Sequence, residues 1–152
     1  MNKVITYLGN ESLLSVPKTA FLASSTIPVE MVLHCYDWAI EMRKQGRCII
    51  SGFSSRLERD VWNFLVKGQQ PIILVLARSM YRKVPPDLQP LLDSGRLLII
   101  STSSTSHQSK ATAFARNRYI CDLADDILFI GATGPSSLAP LHEEYADKEI
   151  IL

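Results

Sequence analysis

The feature that most constrains this chain is a series of short, unbroken apolar runs, each followed by a turn of small residues and then an amphipathic stretch. Residues 19–23 (Thr-Ala-Phe-Leu-Ala), 47–51 (Arg-Cys-Ile-Ile-Ser), 72–76 (Ile-Ile-Leu-Val-Leu), 97–100 (Leu-Leu-Ile-Ile) and 127–130 (Ile-Leu-Phe-Ile) are apolar at successive rather than alternate positions. A strand with one wet face alternates; a strand covered on both faces does not. The stretches between them carry helical spacing. Val32, Leu33, Tyr36, Ala39 and Ile40 form one stripe after Pro28, with Gly46 placed to end the helix. Ser55 and Glu58 have capping-box spacing ahead of a second stripe, Leu57, Val61, Phe64 and Leu65.

Three further helices are expected. A short one begins at Pro85-Pro86, and others cover residues 111–124 and 136–146. Residues 149–152 read as a last strand, and residues 4–8 as an edge strand or extension within an N-terminal segment 1–18. Strands alternating with helices predict an α/β fold: a Rossmann-like, doubly wound, mostly parallel sheet with helices on both faces. The 152 residues fit a single domain.

Composition narrows the function. The formal net charge is +1, so no global field draws the chain to nucleic acid or to an anionic membrane. Any phosphate must be held by a local site. Cys35, Cys48 and Cys121 are an odd number, widely spaced among apolar neighbours, which predicts buried thiols rather than disulfides or a metal centre. No apolar run approaches the ~20 residues that span a bilayer, and the N-terminus lacks a secretory core. The expected location is therefore the cytoplasm, with no membrane partner, no metal and no cofactor.

In a doubly wound sheet, ligands bind beyond the carboxyl ends of the strands. The residues expected there are Ser24-Ser25-Thr26, Ser51-Gly52 running on to Ser55, Ser101-Thr102-Ser103-Ser104, and Gly131-Ala132-Thr133-Gly134-Pro135-Ser136-Ser137. Small residues let amide N–H groups approach an anion, and helix N-termini add a favourable dipole. Ordinary turns and caps use the same residues. Arg116-Asn117-Arg118 offers two guanidiniums and an amide that can clamp a phosphate; the alternative is surface pairing with Asp122, Asp125 or Asp126. Asp60 is either a solvated helix residue or a partner for a ribose hydroxyl. His34 and His107 are isolated, and His142-Glu143-Glu144 lacks the second histidine of a zinc helix.

These residues bring a family into view. Ser51-Gly52 followed by Glu58-Arg59-Asp60-Val61 resembles the Ser-Gly…Gly-Ile-Asp stretch of DNA-processing protein A, also called Smf, of the wider Smf/Lonely Guy superfamily. Phe114-Ala115-Arg116-Asn117-Arg118-Tyr119-Ile120 resembles its Phe-Pro-x-Arg-Asn-Arg-x-Ile motif, and Leu123 to Ile130 continue the likeness. Ala23-Ser24-Ser25-Thr26 stands where the family has Gly-Ser-Arg, and Glu58-Arg59 replaces its Gly-Ile. The resemblance implies a Rossmann core that binds single-stranded DNA and helps to load recombinase during transformation. It implies that Ser51, Gly52, Arg116, Asn117 and Arg118 line a phosphate pocket. The 152 residues depart from many members in leaving no room for the flanking helical and winged-helix domains, so a stand-alone core is expected.

Three functions are compatible with these features. The favoured one is a binding module for a nucleotide or single-stranded nucleic acid, with no bond broken. The site would comprise Ser24, Ser25, Ser51, Gly52, Ser55, Arg116, Asn117, Arg118, Gly131, Gly134, Ser136 and Ser137. The alternative is a Lonely Guy-like hydrolase of nucleoside monophosphates. Its Pro-Gly-Gly-x-Gly-Thr-x-x-Glu loop is not reproduced at 131–138, so Glu143 or Glu144 would have to supply the carboxylate. The third is a scaffold or dimerisation domain, and a homodimer is compatible with any of the three.

Overall fold

The computed structural model describes residues 5–152. Its core is a six-stranded sheet of β1 (Thr6–Gly9), β2 (Lys18–Ala23), β3 (Cys48–Ser51), β4 (Ile72–Leu76), β5 (Leu97–Ser101) and β6 (Asp126–Ile130), in the spatial order β1-β5-β4-β3-β2-β6. All pairings are parallel except that of β1, which runs antiparallel to β5 with Thr6 opposite Ser101.

The helices divide between the faces as right-handed crossovers require. The chain moves outward from β2 to β5 through α1 (Val29–Gln45), α2 (Arg56–Leu65) and α3 (Gln89–Asp93), and all three cover one face. It then returns past β2 to β6 through α4 (Lys110–Leu123), which lies on the opposite face with α5 (Ala139–Glu144). Each of the five parallel strands therefore feeds two cores. Phe21, Ile49, Leu74, Ile99 and Leu128 meet the first three helices, while Leu22, Ile50, Val75, Ile100 and Phe129 meet the other face. This is why the strand sequences are apolar at every position. The reversal of strand order beside β2 opens a crevice at the carboxyl edge, where α2, α4 and the loop after β6 converge.

Local signals set the helix boundaries. Gly46 ends α1 in the left-handed region at φ 71°, a conformation nearly free of cost only for glycine. The Ser55–Glu58 box caps α2, and a second box, Ser109 with Thr112, starts α4 at Lys110.

Four expectations need correction. Residues 149–152 form no strand: Glu149 makes an isolated bridge to Ile127, and Ile151 is 82% exposed. A short 3-10 turn at Ala146–Lys148, with the Lys148 ammonium on the Cys121 and Ala124 carbonyls, precedes that bridge, and the pairing with β6 is limited to the bridge and the Ile150 amide on the Ile127 carbonyl. The helix expected over 136–146 is limited to Ala139–Glu144, with Pro140 in its first turn, where a missing N–H costs nothing. Pro85-Pro86 make turn hydrogen bonds to Leu88 and Gln89, and α3 starts only after them. The N-terminal strand is Thr6–Gly9; residue 4 of the expected span lies outside the described residues. Among the described residues, no helix is long and apolar enough to cross a membrane.

A two-chambered cleft at the carboxyl edge of the sheet

The link from β3 to α2 builds the floor of the crevice. Ser51 is fully buried, and its hydroxyl accepts a hydrogen bond from the Phe53 amide at 3.1 Å. Phe53 holds a positive φ of 47°, unusual for a side-chain-bearing residue, and packs edge-on against Trp62 at 5.0 Å. Ser55 then caps α2. Glu58 does more than complete the box. One carboxylate oxygen accepts from the Ser54 and Ser55 amides at 2.9 and 3.2 Å, and the other accepts from the Ala23 amide at the end of β2, at 3.0 Å. Glu58 is only 4% exposed.

Opposite this floor, α4 brings Arg116 inward, where it is 3% exposed. Its Nε donates to the Asn117 side-chain oxygen at 2.8 Å, and its two terminal nitrogens donate to the Val75 carbonyl and the Ser54 hydroxyl, each at 3.3 Å. Three of the five guanidinium N–H groups are thus used, which leaves two. No carboxylate forms a contact ion pair with Arg116 among the described residues. Burial pushes its pKa down from the ordinary value, and the nearby Glu58 carboxylate opposes that shift. A buried cation with spare donors and no contact counter-ion is costly, and an arriving anion would relieve it.

Arg116, Ser54 and Gln108 form the wall shared by two chambers. The smaller, about 390 Å³, lies between the ends of β2, α2 and α4 and the 135–138 turn. Ser24, Ser25, Ser55, Ser136 and Ser137 line it, together with Asn117, Lys110 and Glu58. The larger, about 860 Å³, opens beyond β3 and β4. Gly52, Phe53, Trp62 and Tyr81 supply its apolar wall; Arg56, Arg59 and Arg78 are its cations, and Asp60 and Asp87 its anions. Asp60 accepts a hydrogen bond from the Tyr36 hydroxyl at 2.7 Å, which pushes the Tyr36 pKa up. The Arg78 guanidinium stands 5.7 Å from the Tyr81 ring centroid.

The structure therefore brings Ser24, Ser25, Gly52, Ser55, Arg116, Asn117, Ser136 and Ser137 to the cleft and leaves the other expected residues outside it. Ser51 is buried beneath the cleft. Gly131 and Gly134 shape the turn after β6 at φ 71° and 60° and do not line either chamber. Arg118 needs a correction. Two residues after Arg116 on a helix, its side chain points elsewhere, pairing with Glu144 and lying 5.5 Å from the Phe114 ring centroid. Neither arginine pairs with Asp122, Asp125 or Asp126. Glu143 and Glu144 border a shallow surface hollow with Gly134 and Ser136, not the two chambers.

Sequence reasoning missed Lys110, Gln108 and the arginines of the larger chamber. Arg56 and Arg59 stand three apart on α2, a spacing that places both on one helix face, and Arg78 lies two positions past the end of β4. Those two regularities were available signals. Among the described residues, no group of three or more His, Cys, Asp or Glu side chains is gathered to hold a metal.

The strand order and the position of the cleft define a doubly wound α/β domain of the Rossmann type, with its open crevice at the strand-order reversal. Residues 1–138 match the family model described as DNA recombination-mediator protein A. The chain belongs to the DNA recombination-mediator protein A family, the one its motifs resemble. Among solved structures it is similar to DNA processing protein A from Streptococcus pneumoniae, with a TM-score of 0.75 and 20% identity over 95% of this chain and 52% of that one. It is also similar to DNA processing protein A from Helicobacter pylori, described for its single-stranded DNA binding mode, with a TM-score of 0.72 and 22% identity over 95% of this chain and 69% of that one. The molybdenum cofactor carrier protein of Chlamydomonas reinhardtii matches more distantly, at a TM-score of 0.53 and 12% identity, over 87% and 71% of the two chains. At these identities the likeness establishes the fold. The chain spans about half the length of the S. pneumoniae protein, 52%. No curated protein sequence matches it.

Proposed function

We propose that this chain binds single-stranded DNA along the carboxyl edge of its sheet, with a backbone phosphate in the smaller chamber and a neighbouring base in the larger one. The observation that carries this reading is the buried Arg116, held by three protein acceptors yet lacking a contact counter-ion, on the wall between the chambers. A phosphate there would accept its two spare N–H groups and the Lys110 ammonium. The aromatic rings and arginines of the larger chamber suit a base, which stacks on such surfaces with little regard to sequence. The near-neutral chain thus concentrates Arg56, Arg59, Arg78, Lys110 and Arg116 on one rim. Family membership and the DNA-binding relative from H. pylori support the same reading.

The test is fluorescence anisotropy with a labelled oligothymidylate at fixed low salt. Arg116→Met, which keeps the packing of the stem, is expected to weaken binding about tenfold or more. Arg118→Ala is expected to bind as the parent does, because that guanidinium faces Glu144 outside the cleft. Equal binding by the parent and Arg116→Met overturns the proposal. Hydrolysis of a glycosidic bond has no comparable support: Glu58, the carboxylate in the smaller chamber, is engaged with three amides, and Glu143 and Glu144 lie outside.

A further inference from the structure

The smaller chamber holds an anion of its own. At a helix N-terminus the free amides can be offered to a ligand phosphate. In this chain the amides of Ser54 and Ser55 at the start of α2, and that of Ala23 at the end of β2, all donate to the buried Glu58 carboxylate. The charged donors left for a ligand, Arg116 and Lys110, lie on the opposite wall with Asn117, and Ser24, Ser25, Ser136 and Ser137 add hydroxyl-bearing residues to the lining.

From this arrangement we infer that Glu58 makes the smaller chamber selective for an internal phosphodiester over a terminal phosphate. The inference rests on the DNA-binding reading above and adds which phosphate the site accepts. The charged side chains lining the chamber are Arg116, Lys110 and Glu58, a balance of one positive charge. A phosphodiester carries one negative charge and leaves the chamber neutral. A terminal phosphate carries about −1.5 to −2 at neutral pH and leaves an unmatched charge in a partly desolvated site. A chamber of about 390 Å³ is roughly 7 Å across, so any anion in it lies within about one Debye length of Glu58. A terminal phosphate also has a third free oxygen, and the Ser54, Ser55 and Ala23 amides that face Glu58 are not available to it. The open wall at Ser54 and Gln108, shared with the larger chamber, gives the strand a way to continue, as a diester must and a monoester need not.

The experiment uses two ligands that differ by one methyl group: thymidine 5′-monophosphate and its methyl ester, a diester. Each competes with the labelled oligothymidylate for the full chain. The parent is expected to bind the methyl ester about tenfold more tightly. Glu58→Gln removes the internal charge and keeps one oxygen, enough for the Ser54 and Ser55 amides, and it is expected to bring the two ligands to parity or reverse their order. The ratio in the parent protein needs no variant to fold. Equal or tighter binding of the monoester by the parent overturns the inference, as does an unchanged ratio in Glu58→Gln. Failure of both ligands to displace the oligonucleotide at millimolar concentration also overturns it, because a chamber that holds a diester on its own donors must hold the methyl ester. In all these cases the DNA-binding reading stands if oligonucleotide binding still depends on Arg116. If the oligonucleotide itself binds independently of Arg116, that reading falls, and the inference with it.

Discussion

The guanidinium of Arg116 lies flat against the backbone of Gly52, so closely that a methyl group on Gly52 would overlap its Cζ, Nε and one terminal nitrogen. The two residues come from α4 and from the β3–α2 link, 64 positions apart in the chain, and residue 52 cannot grow unless Arg116 moves. Gly52→Ala is therefore expected to displace Arg116 from Val75 and Ser54. Stability should fall by about 1–3 kcal/mol, the usual cost of overpacking. DNA binding should fall about as far as in Arg116→Met. Urea denaturation together with anisotropy checks both; full binding by a folded Gly52→Ala protein would show that Arg116 does not act from this position.

Removing the Glu58 side chain should cost more than removing an ordinary cap. Glu58→Ala leaves three amides without their acceptor and takes a negative charge from beside a buried guanidinium. The expected loss is about 3–5 kcal/mol in equilibrium unfolding. Glu58→Gln, whose single oxygen still serves the Ser54 and Ser55 amides and leaves only the Ala23 amide unpaired, should lose less. Equal losses in the two variants would mean that the amide bonds contribute little.

At the opposite edge of the sheet, Arg96 donates to the carbonyls of Leu65, Val66 and Gln70 at 3.1–3.2 Å and so closes the end of α2. Arg96→Ala should lower stability by about 1–3 kcal/mol. DNA affinity should be unchanged, since the residue lies at the other end of the helix from the cleft. A shift in the urea midpoint with identical anisotropy curves is the expected pair of results.

Burial raises the pKa of all three thiols, Cys35 and Cys121 to about 12 and Cys48 to about 11. In the unfolded chain they ionise near about 8.5. Below that pH both states keep their thiol protons and the thiols add no pH dependence. As pH rises toward 11–12, only the unfolded state releases them, so stability must fall over that window. Tyr36, Tyr81 and Tyr145, also raised, act in the same direction at the alkaline end. Urea midpoints at pH 7, 9 and 10.5 should decrease in that order. Native protein at pH 8 should react with a thiol reagent only at its unfolding rate.

Much of the fold was legible because its signals are local. Ser55 with Glu58, Gly46 after a helical stripe and the unbroken apolar runs each act through neighbours a few residues away. The last segment shows why other parts were not: a run such as Ile150-Ile151-Leu152 becomes a strand only if a sheet edge accepts it over its length, and here the pairing with β6 stops at Glu149 and Ile150. The site was less legible. Arg116 and Arg118 have the same chemistry and sit two positions apart, so composition and motif treat them alike; the rotation of α4 buries one and turns the other toward Glu144.

The sequence by itself determined the alternation of buried strands and capped helices, and with it the doubly wound sheet, because periodicity and capping are encoded within a turn or two of chain. Only the tertiary structure decided which cation faces the cleft, that Glu58 reaches across to β2, and that the arginines of α2 and the β4 loop share one chamber. Those relations depend on distances between segments that the chain brings together only on folding. No local pattern carries them.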